Sequence, residues 1–358
     1  MTVRSVARAG VLANVAVVAV GLVVVALLPS SDHGAAPEGR TRITPAPSPS
    51  ASRQAAQPAA AESARKVKAN EAGMIPVIMY HRLMAKRRAS IDRTPKQLRA
   101  ELERLVREKY MPITAAELVS GKFNVPAGMH PVVLTFDDGS PSHFALDAHG
   151  NPKKNTAVEI IYEVAKKHPG FRPVATFWVN RNPFGIKDRA QEKRAVAWLV
   201  GHGFEVANHT YTHPDLHRLK AKKVSEQIVK QERLLKEIGV PSSSTFALPY
   251  GSAPKKRGVA REGAWDGTKY HFDGVFLASA RPTVSPYAKG FDRNAIPRVQ
   301  SNEKKTGCPV YCTQYWLDWL DKRPGERYTS DGDPAHIAVP KKLRGKITPS
   351  RAKNVIAY

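Results

Sequence analysis

The chain has 358 residues and a formal charge of +25, enough length for one large domain with accessory segments or for two small domains. Residues 1–73 hold eight Lys/Arg and four Asp/Glu, a balance of +4, so about +21 falls on the remainder. That distribution excludes a basic tail as the source of the charge: the folded part itself is basic.

Arg4 and Arg8 precede VLANVAVVAVGLVVVALL, an uncharged run from Val11 to Leu28. Its length suits a signal anchor or a signal peptide over residues 1–28, and either sends the rest of the chain out of the cytoplasm. From Pro29 to Gly73 the composition turns to Ala, Pro and Ser, which predicts a disordered linker over 29–73. Export makes nucleic acid the poorest of the three partners that fit a basic surface; an anionic membrane and an anionic cell-wall polymer fit it better.

From Met74 onward strands and helices alternate. IPVIMY predicts a buried strand, and TPKQLRAELERLVREKY a helix with Thr94 as N-cap and Pro95 at its first position. TAAELVSG predicts a short helix, PVVLTF a strand apolar on both faces, and TAVEIIYEVAKKH a helix. VATFWVN, RAVAWLVGHG, FEVAN and KKVSEQIVKQERLLKEIG continue the alternation, followed by strands in TFALPYG, YHFDGVFLAS and IPRVQ. CTQYWLDWLD predicts the last helix, and Cys308 and Cys312 in CPVYC predict a local disulfide in an oxidising compartment. Such alternation calls for a mostly parallel sheet covered by helices, as a barrel or an open doubly wound sheet. No glycine-rich phosphate loop follows the first strand, which weighs against a nucleotide fold. The predicted organisation is an α/β domain over 74–320 with a basic C-terminal extension, 321–358, that can pack on it.

In both architectures functional residues gather at strand C-termini. Three segments stand there: TFDDGS, NHTYTHPDLH and ALPYGS. His209 and His213, four apart, can converge on one ion, and a carboxylate from TFDDGS completes a set of three ligands with a position left open. A nearby base is still needed to take a proton from water, which gives adjacent carboxylates different tasks.

These segments resemble the polysaccharide deacetylases of the fourth carbohydrate esterase family. TFDDG is similar to its first motif, HTYTH to its second, and PYG to the core of its third, within a resemblance covering about Ile75 to Arg298. The resemblance implies a distorted (β/α) barrel, with Asp137 as catalytic base and Asp138, His209 and His213 holding a divalent metal, zinc first. It implies an oxyanion contact from the Tyr250 backbone N–H and substrate contacts from Pro249 and Tyr250, while His81, at the end of the first predicted strand, is a candidate either to line the cleft and touch substrate or to make a structural hydrogen bond. Two departures stand out. Many members carry Arg where this chain has Ala247, and FALPYG instead resembles the branch of poly-N-acetylglucosamine deacetylases. A late Leu-x-His segment has no clean match, leaving His336 and His271 as later histidines. Arg298 is a candidate partner for a site carboxylate. Trp265, Trp316 and Trp319 are candidates for sugar stacking.

The expectation is an extracytoplasmic, metal-dependent N-deacetylase acting on an acetylated, glucosamine-containing polysaccharide. The alternatives are an O-acetyl esterase and a glycan-binding module that keeps the fold without turnover.

Overall fold

The computed structural model describes residues 49–302, 308 and 310–358. The segment read as a signal anchor or signal peptide, 1–28, and the first part of the linker lie outside them. Among the described residues no helix is long and apolar enough to cross a membrane.

Eight parallel strands form one sheet: β1 (Val77–Tyr80), β2 (Tyr110–Ile113), β3 (His130–Phe136), β4 (Thr176–Val179), β5 (Glu205–Asn208), β6 (Thr245–Ala247), β7 (Gly274–Phe276) and β8 (Val299–Gln300). The order is β7-β6-β5-β4-β3-β1-β8, with β2 on the first half of β3. The sheet curls into a half-barrel. Just before β8, Ile296 bridges to Phe276 on β7, while Val299 pairs with Ile78 on β1. One short segment therefore touches both edges of the curled sheet. That accounts for the barrel-like expectation, and it carries Arg298 between the two contacts.

The helices are α1 (Pro49–Lys66), α2 (Pro95–Arg107), α3 (Ala115–Ser120), α4 (Ala157–Lys167), α5 (Arg189–Gly201), α6 (Ala221–Glu237) and α7 (Thr313–Asp321). In α2, Thr94 and Gln97 form the reciprocal capping box. Leu98, Leu102 and Leu105 are fully buried, each stabilising the domain by roughly 1.5–3 kcal/mol. Alternate strand residues serve opposite faces. Ile78, Leu134, Phe136, Phe177 and Val179 pack under the helices, whereas Val77, Val133, Trp178, Ala207 and Ala247 fill the concave side. This period places Asp137, the next odd-numbered position after Val133 and Thr135, on the concave side.

Four elements differ from the sequence reading, the first being YHFDGVFLAS, whose Tyr270 and His271 end an antiparallel hairpin strand while Gly274–Phe276 alone joins the main sheet. Tyr110–Ile113 is a strand, hidden in the sequence because it is four residues long, contains Pro112 and pairs with only half of β3. TFALPYG is a strand only to Ala247, after which Pro249–Gly251 forms a tight turn. The linker reading does not hold over its later part. Pro49–Lys66 is helical, and Ala64 and Ala69 bury against Ala338. A linker-like composition hid these small residues, which pack only because residues 337–339 come to meet them.

The residues after Lys66 are tied to the C-terminal part, where Ile337–Val339 pairs in parallel with Val355–Ala357. Asn70 N–H donates to Thr329 O at 2.8 Å, and the buried Glu71 carboxylate accepts from Tyr328 Oη, 3.0 Å, and Ala338 N–H, 2.9 Å. Burial, helped by the nearby Asp331 carboxylate, pushes the Glu71 carboxyl up to about 8. Between its ordinary value and about 8 the folded state holds a proton that the unfolded chain has released, so stability falls as pH rises through that window. We expect the melting temperature to drop between pH 5 and 8, and Glu71→Gln to flatten that slope in a thermal-unfolding series.

Candidate functional site

The site lies at the C-terminal ends of β3, β5 and β6. After Phe136 the chain leaves β3, and Asp138 adopts a left-handed φ of 74°. That turn separates the two neighbouring carboxylates. Asp137 stays buried on the concave side, 3% exposed, while the Asp138 side chain swings out to 41% exposure. Asp138, Thr210, His213 and Tyr250 account for four of the ten left-handed non-glycine residues among those described. Backbone strain is thus concentrated where three strand ends meet, as at sites whose geometry the surrounding structure enforces.

Asp138, His209 and His213 come together, their donor atoms all within 4.8 Å of one another. His209 Nε2 is 3.6 Å and His213 Nε2 is 3.4 Å from Asp138 Oδ1. These separations are long for hydrogen bonds. They match the spacing of about 3.3–3.4 Å expected between ligands that share one ion tetrahedrally at about 2.0–2.1 Å. The ring of His209 is fixed by its other nitrogen, Nδ1, which lies 2.8 Å from Ala247 O. A proton on Nδ1 leaves the Nε2 lone pair facing Asp138, the arrangement a metal-ligating histidine needs. Burial pushes the His209 ring down, favouring the neutral form. The donor set therefore fits a divalent cation.

The loop carrying the two histidines is built from polar side chains. Asn180 Nδ2 donates to His209 O at 2.6 Å and Thr210 O at 3.0 Å. Asn208 Oδ1 accepts from Thr210 N–H at 2.8 Å, and Thr210 Oγ1 accepts from His213 N–H at 3.1 Å. Gln231, from α6, donates to Val179 O and Asn180 O beneath.

Asp137 is held differently. Arg298 grips it with two parallel bonds, Nη1 to Oδ1 and Nη2 to Oδ2, both 2.7 Å. The guanidinium is itself fully buried. It rests on the Trp178 ring at 4.9 Å and donates through Nε to Leu277 O at 2.8 Å. Burial alone would raise the Asp137 carboxyl, but Arg298, with His209, holds it well below the usual carboxylate range. A charged carboxylate thus stands beside the cluster, 3.9 Å from His209 Nε2, without belonging to it.

Tyr250 has a φ of 58°, its side chain is 70% exposed, and its ring meets His213 edge-on at 4.5 Å. Gly251 N–H bonds to Leu248 O and Ser252 N–H to Pro249 O, while the Tyr250 N–H has no backbone acceptor among the described residues. The turn demands a glycine after Tyr250. A Cβ on Gly251 would lie 2.6 Å from Ala278 N, at a φ of +66°. Pro249 is buried at the start of this turn.

His81 follows β1, close enough to Asp137 for its charge to lower that carboxyl. Its Nδ1 is buried without a hydrogen-bond partner. His143, which the sequence reading passed over, lies beneath it. His143 Nδ1 accepts from Ser140 N–H, Nε2 donates to His81 O at 2.7 Å, and burial pushes the ring down to about 4, so it stays neutral. Only its position six residues after Asp137 hinted at it.

The other candidates lie elsewhere. His336 pairs with Asp331 and Asp333, and His271 pairs with Glu262 on an exposed hairpin, so neither reaches the site. Trp265 stacks under Lys230 and Arg233. Trp316 and Trp319 meet each other on α7, Trp316 donating to Ala280 O. Cys308 and Cys312 form a disulfide just ahead of α7.

Residues 124–262 match the family model described as polysaccharide deacetylase. A peptidoglycan-N-acetylglucosamine deacetylase from Bacillus cereus is 25% identical over 158 residues, 44% of this chain and 50% of its own. A chitooligosaccharide deacetylase from Sinorhizobium fredii is 34% identical over 128 residues, 35% of this chain and 48% of its own. The chain spans about half the length of these curated relatives. Among solved structures, Streptococcus pyogenes deacetylase PplD in complex with acetate is similar at a TM-score of 0.48 and 17% identity, over 64% of this chain and 92% of that one. His81 and Arg298 both fall outside the matched stretch.

Proposed function

We propose that this chain, which carries a polysaccharide deacetylase domain, hydrolyses N-acetyl groups of a glucosamine-containing polysaccharide with a divalent metal, zinc first, held by Asp138, His209 and His213. One observation carries the proposal: three metal-type donors converge beside a carboxylate that a separate buried cation keeps charged. When bound there, a divalent ion supplies electrophilic polarisation of an acyl oxygen and acidifies water. Asp137, ionised and fixed by Arg298, takes the proton of the attacking water. The free N–H of Tyr250 donates to the acyl oxygen as negative charge develops on it. Water adds to the acyl carbon, the C–N bond breaks, and acetate and a free amine leave.

The departing amine needs a proton, and His81 is the group we assign to give it. It stands at the neighbouring strand end with an unpartnered buried Nδ1, and the later histidines are elsewhere. His81→Gln is expected to lower kcat about 100-fold with little change in KM. The loss should be much smaller on an activated acetate ester, whose leaving group needs no proton; an equal loss on both substrates would strip His81 of the role.

N-acetyl specificity is favoured by the relatives, whose names specify peptidoglycan N-acetylglucosamine and chitooligosaccharide. Location outside the cytoplasm rests on the sequence of residues 1–28, and an anionic wall polymer as partner rests on the basic charge. The deciding experiment is acetate release by the metal-restored protein from chitooligosaccharides, wall glycan and acetylated xylan. Release from the first two supports the proposal, and release from xylan alone points to an O-acetyl esterase. Tight glycan binding without release across the panel points to a binding module.

A further inference from the structure

A second site opens at the opposite end of the sheet. A cavity of about 980 Å³ lies where β2 and β3 begin, bordered by Lys109, His130, the residues around Asn70 and the stretch from Asp321 to Thr329. The metal-type cluster sits at the other end of these strands. The seven residues of β3 alone separate the two ends by roughly 20 Å.

Six cationic side chains line the cavity: Lys68, Arg107, Lys109, Arg323, Arg327 and Lys342. Three carboxylates face them, and one of these, Glu108, is already engaged by Arg104 at 2.6 Å. Among the described residues none of the six cations forms an ion pair. Helix C-termini attract cations, which accounts for Arg107 in the last turn of α2 and for Arg323 just after α7. They do not account for Lys68, Lys109, Lys342 or Arg327, the last of which lies over the Tyr110 ring at 5.8 Å; four different segments bring these to one place.

Two buried polar atoms at this cavity also lack partners. Asn70, 3% exposed, donates through Nδ2 to Gly325 O and Arg327 O, leaving its Oδ1 unmatched. Arg327 Nε is likewise buried and unmatched. Native proteins rarely leave such groups unsatisfied. An unpaired guanidinium N–H among lysines without counter-ions is a donor set for oxyanions.

We infer that this cavity is a binding site for a polyanion with closely spaced oxyanions, phosphate or carboxylate, distinct from the deacetylase site. Like-charged residues crowded together repel one another, so a bound polyanion relieves that repulsion and supplies Arg327 Nε with the acceptor it lacks; Asn70 Oδ1, itself an acceptor, is not served by it. The inference does not rest on the proposed catalysis.

The test uses the full chain with two probes, inorganic polyphosphate and polyglutamate of matched charge, titrated calorimetrically in 150 mM salt. At least one should bind, and the better one identifies the oxyanion. The combined Lys109→Ala, Arg323→Ala and Lys342→Ala variant is expected to bind at least 10-fold more weakly. A variant removing three exposed lysines elsewhere, Lys187→Ala, Lys193→Ala and Lys222→Ala, should change affinity less than 3-fold. Should the first variant unfold, Lys342→Glu alone, on an exposed turn, should still weaken binding several-fold. No binding of either probe to the wild type overturns the inference. So does an equal loss in both triple variants, which would mean diffuse charge, or unchanged binding by Lys342→Glu.

Discussion

Asp137→Asn is expected to retain as much divalent metal as the wild type and to release acetate roughly 1,000- to 10,000-fold more slowly. The substitution keeps shape and leaves one oxygen for Arg298, at the cost of the second bond and of some stability, but it removes none of the three donors Asp138, His209 and His213. What disappears is the carboxylate beside the cluster to which the proposal gives the water's proton, and general bases contribute in about this range. Asp138→Ala and His213→Ala should behave oppositely, losing both metal and activity, because each removes one of three donors. Elemental analysis of the three purified variants, alongside acetate release, checks the division. Equal metal content in all three would end it.

Arg298→Ala should be the most damaging single change away from the cluster itself. It strands a charged carboxylate that is 3% exposed and uncovers the Trp178 ring. Removing one partner of a buried pair costs about 3–5 kcal/mol, because the other is left without compensation. The same loss acts on catalysis. Without the guanidinium the Asp137 carboxyl rises, so the proposed base is protonated over pH values where the wild-type carboxylate is charged. The acid limb of the pH–rate profile should therefore move to higher pH, with more activity lost at pH 6 than at pH 8. Arg298→Lys keeps the charge but not the two-pronged geometry, and should recover part of both stability and profile. Denaturant unfolding and pH–rate measurements on both variants decide the matter. An unshifted acid limb in a folded Arg298→Ala protein would show that the pair is structural only.

Arg298 also bears on the binding-module alternative. Ala247 motivates that alternative, since the resemblance leads one to expect an arginine there. In the structure Ala247 belongs to the concave core, its carbonyl anchors His209, and the cation on Asp137 arrives from just before β8 instead. The position emptied at one strand is filled from another, so the missing arginine is no argument against turnover.

The sequence by itself determined what depends on neighbours in the chain. Hydrophobic period and capping chemistry specified α2 from Thr94 onward, and the apolar runs specified β3 to β5, because a strand buried on both faces leaves few other choices. The spacing of His209 and His213 and the adjacent Asp137 and Asp138 were legible as motifs. The tertiary structure alone decided what depends on residues far apart in the chain. It brought Arg298 to Asp137 across 161 positions, set His143 under His81, and moved His336 and His271 away. It also packed Ala64 and Ala69 against Ala338 and gathered four segments around a basic cavity. Local periodicity encodes which face a side chain takes; which distant charge meets it is set only when the sheet curls and its edges close on each other.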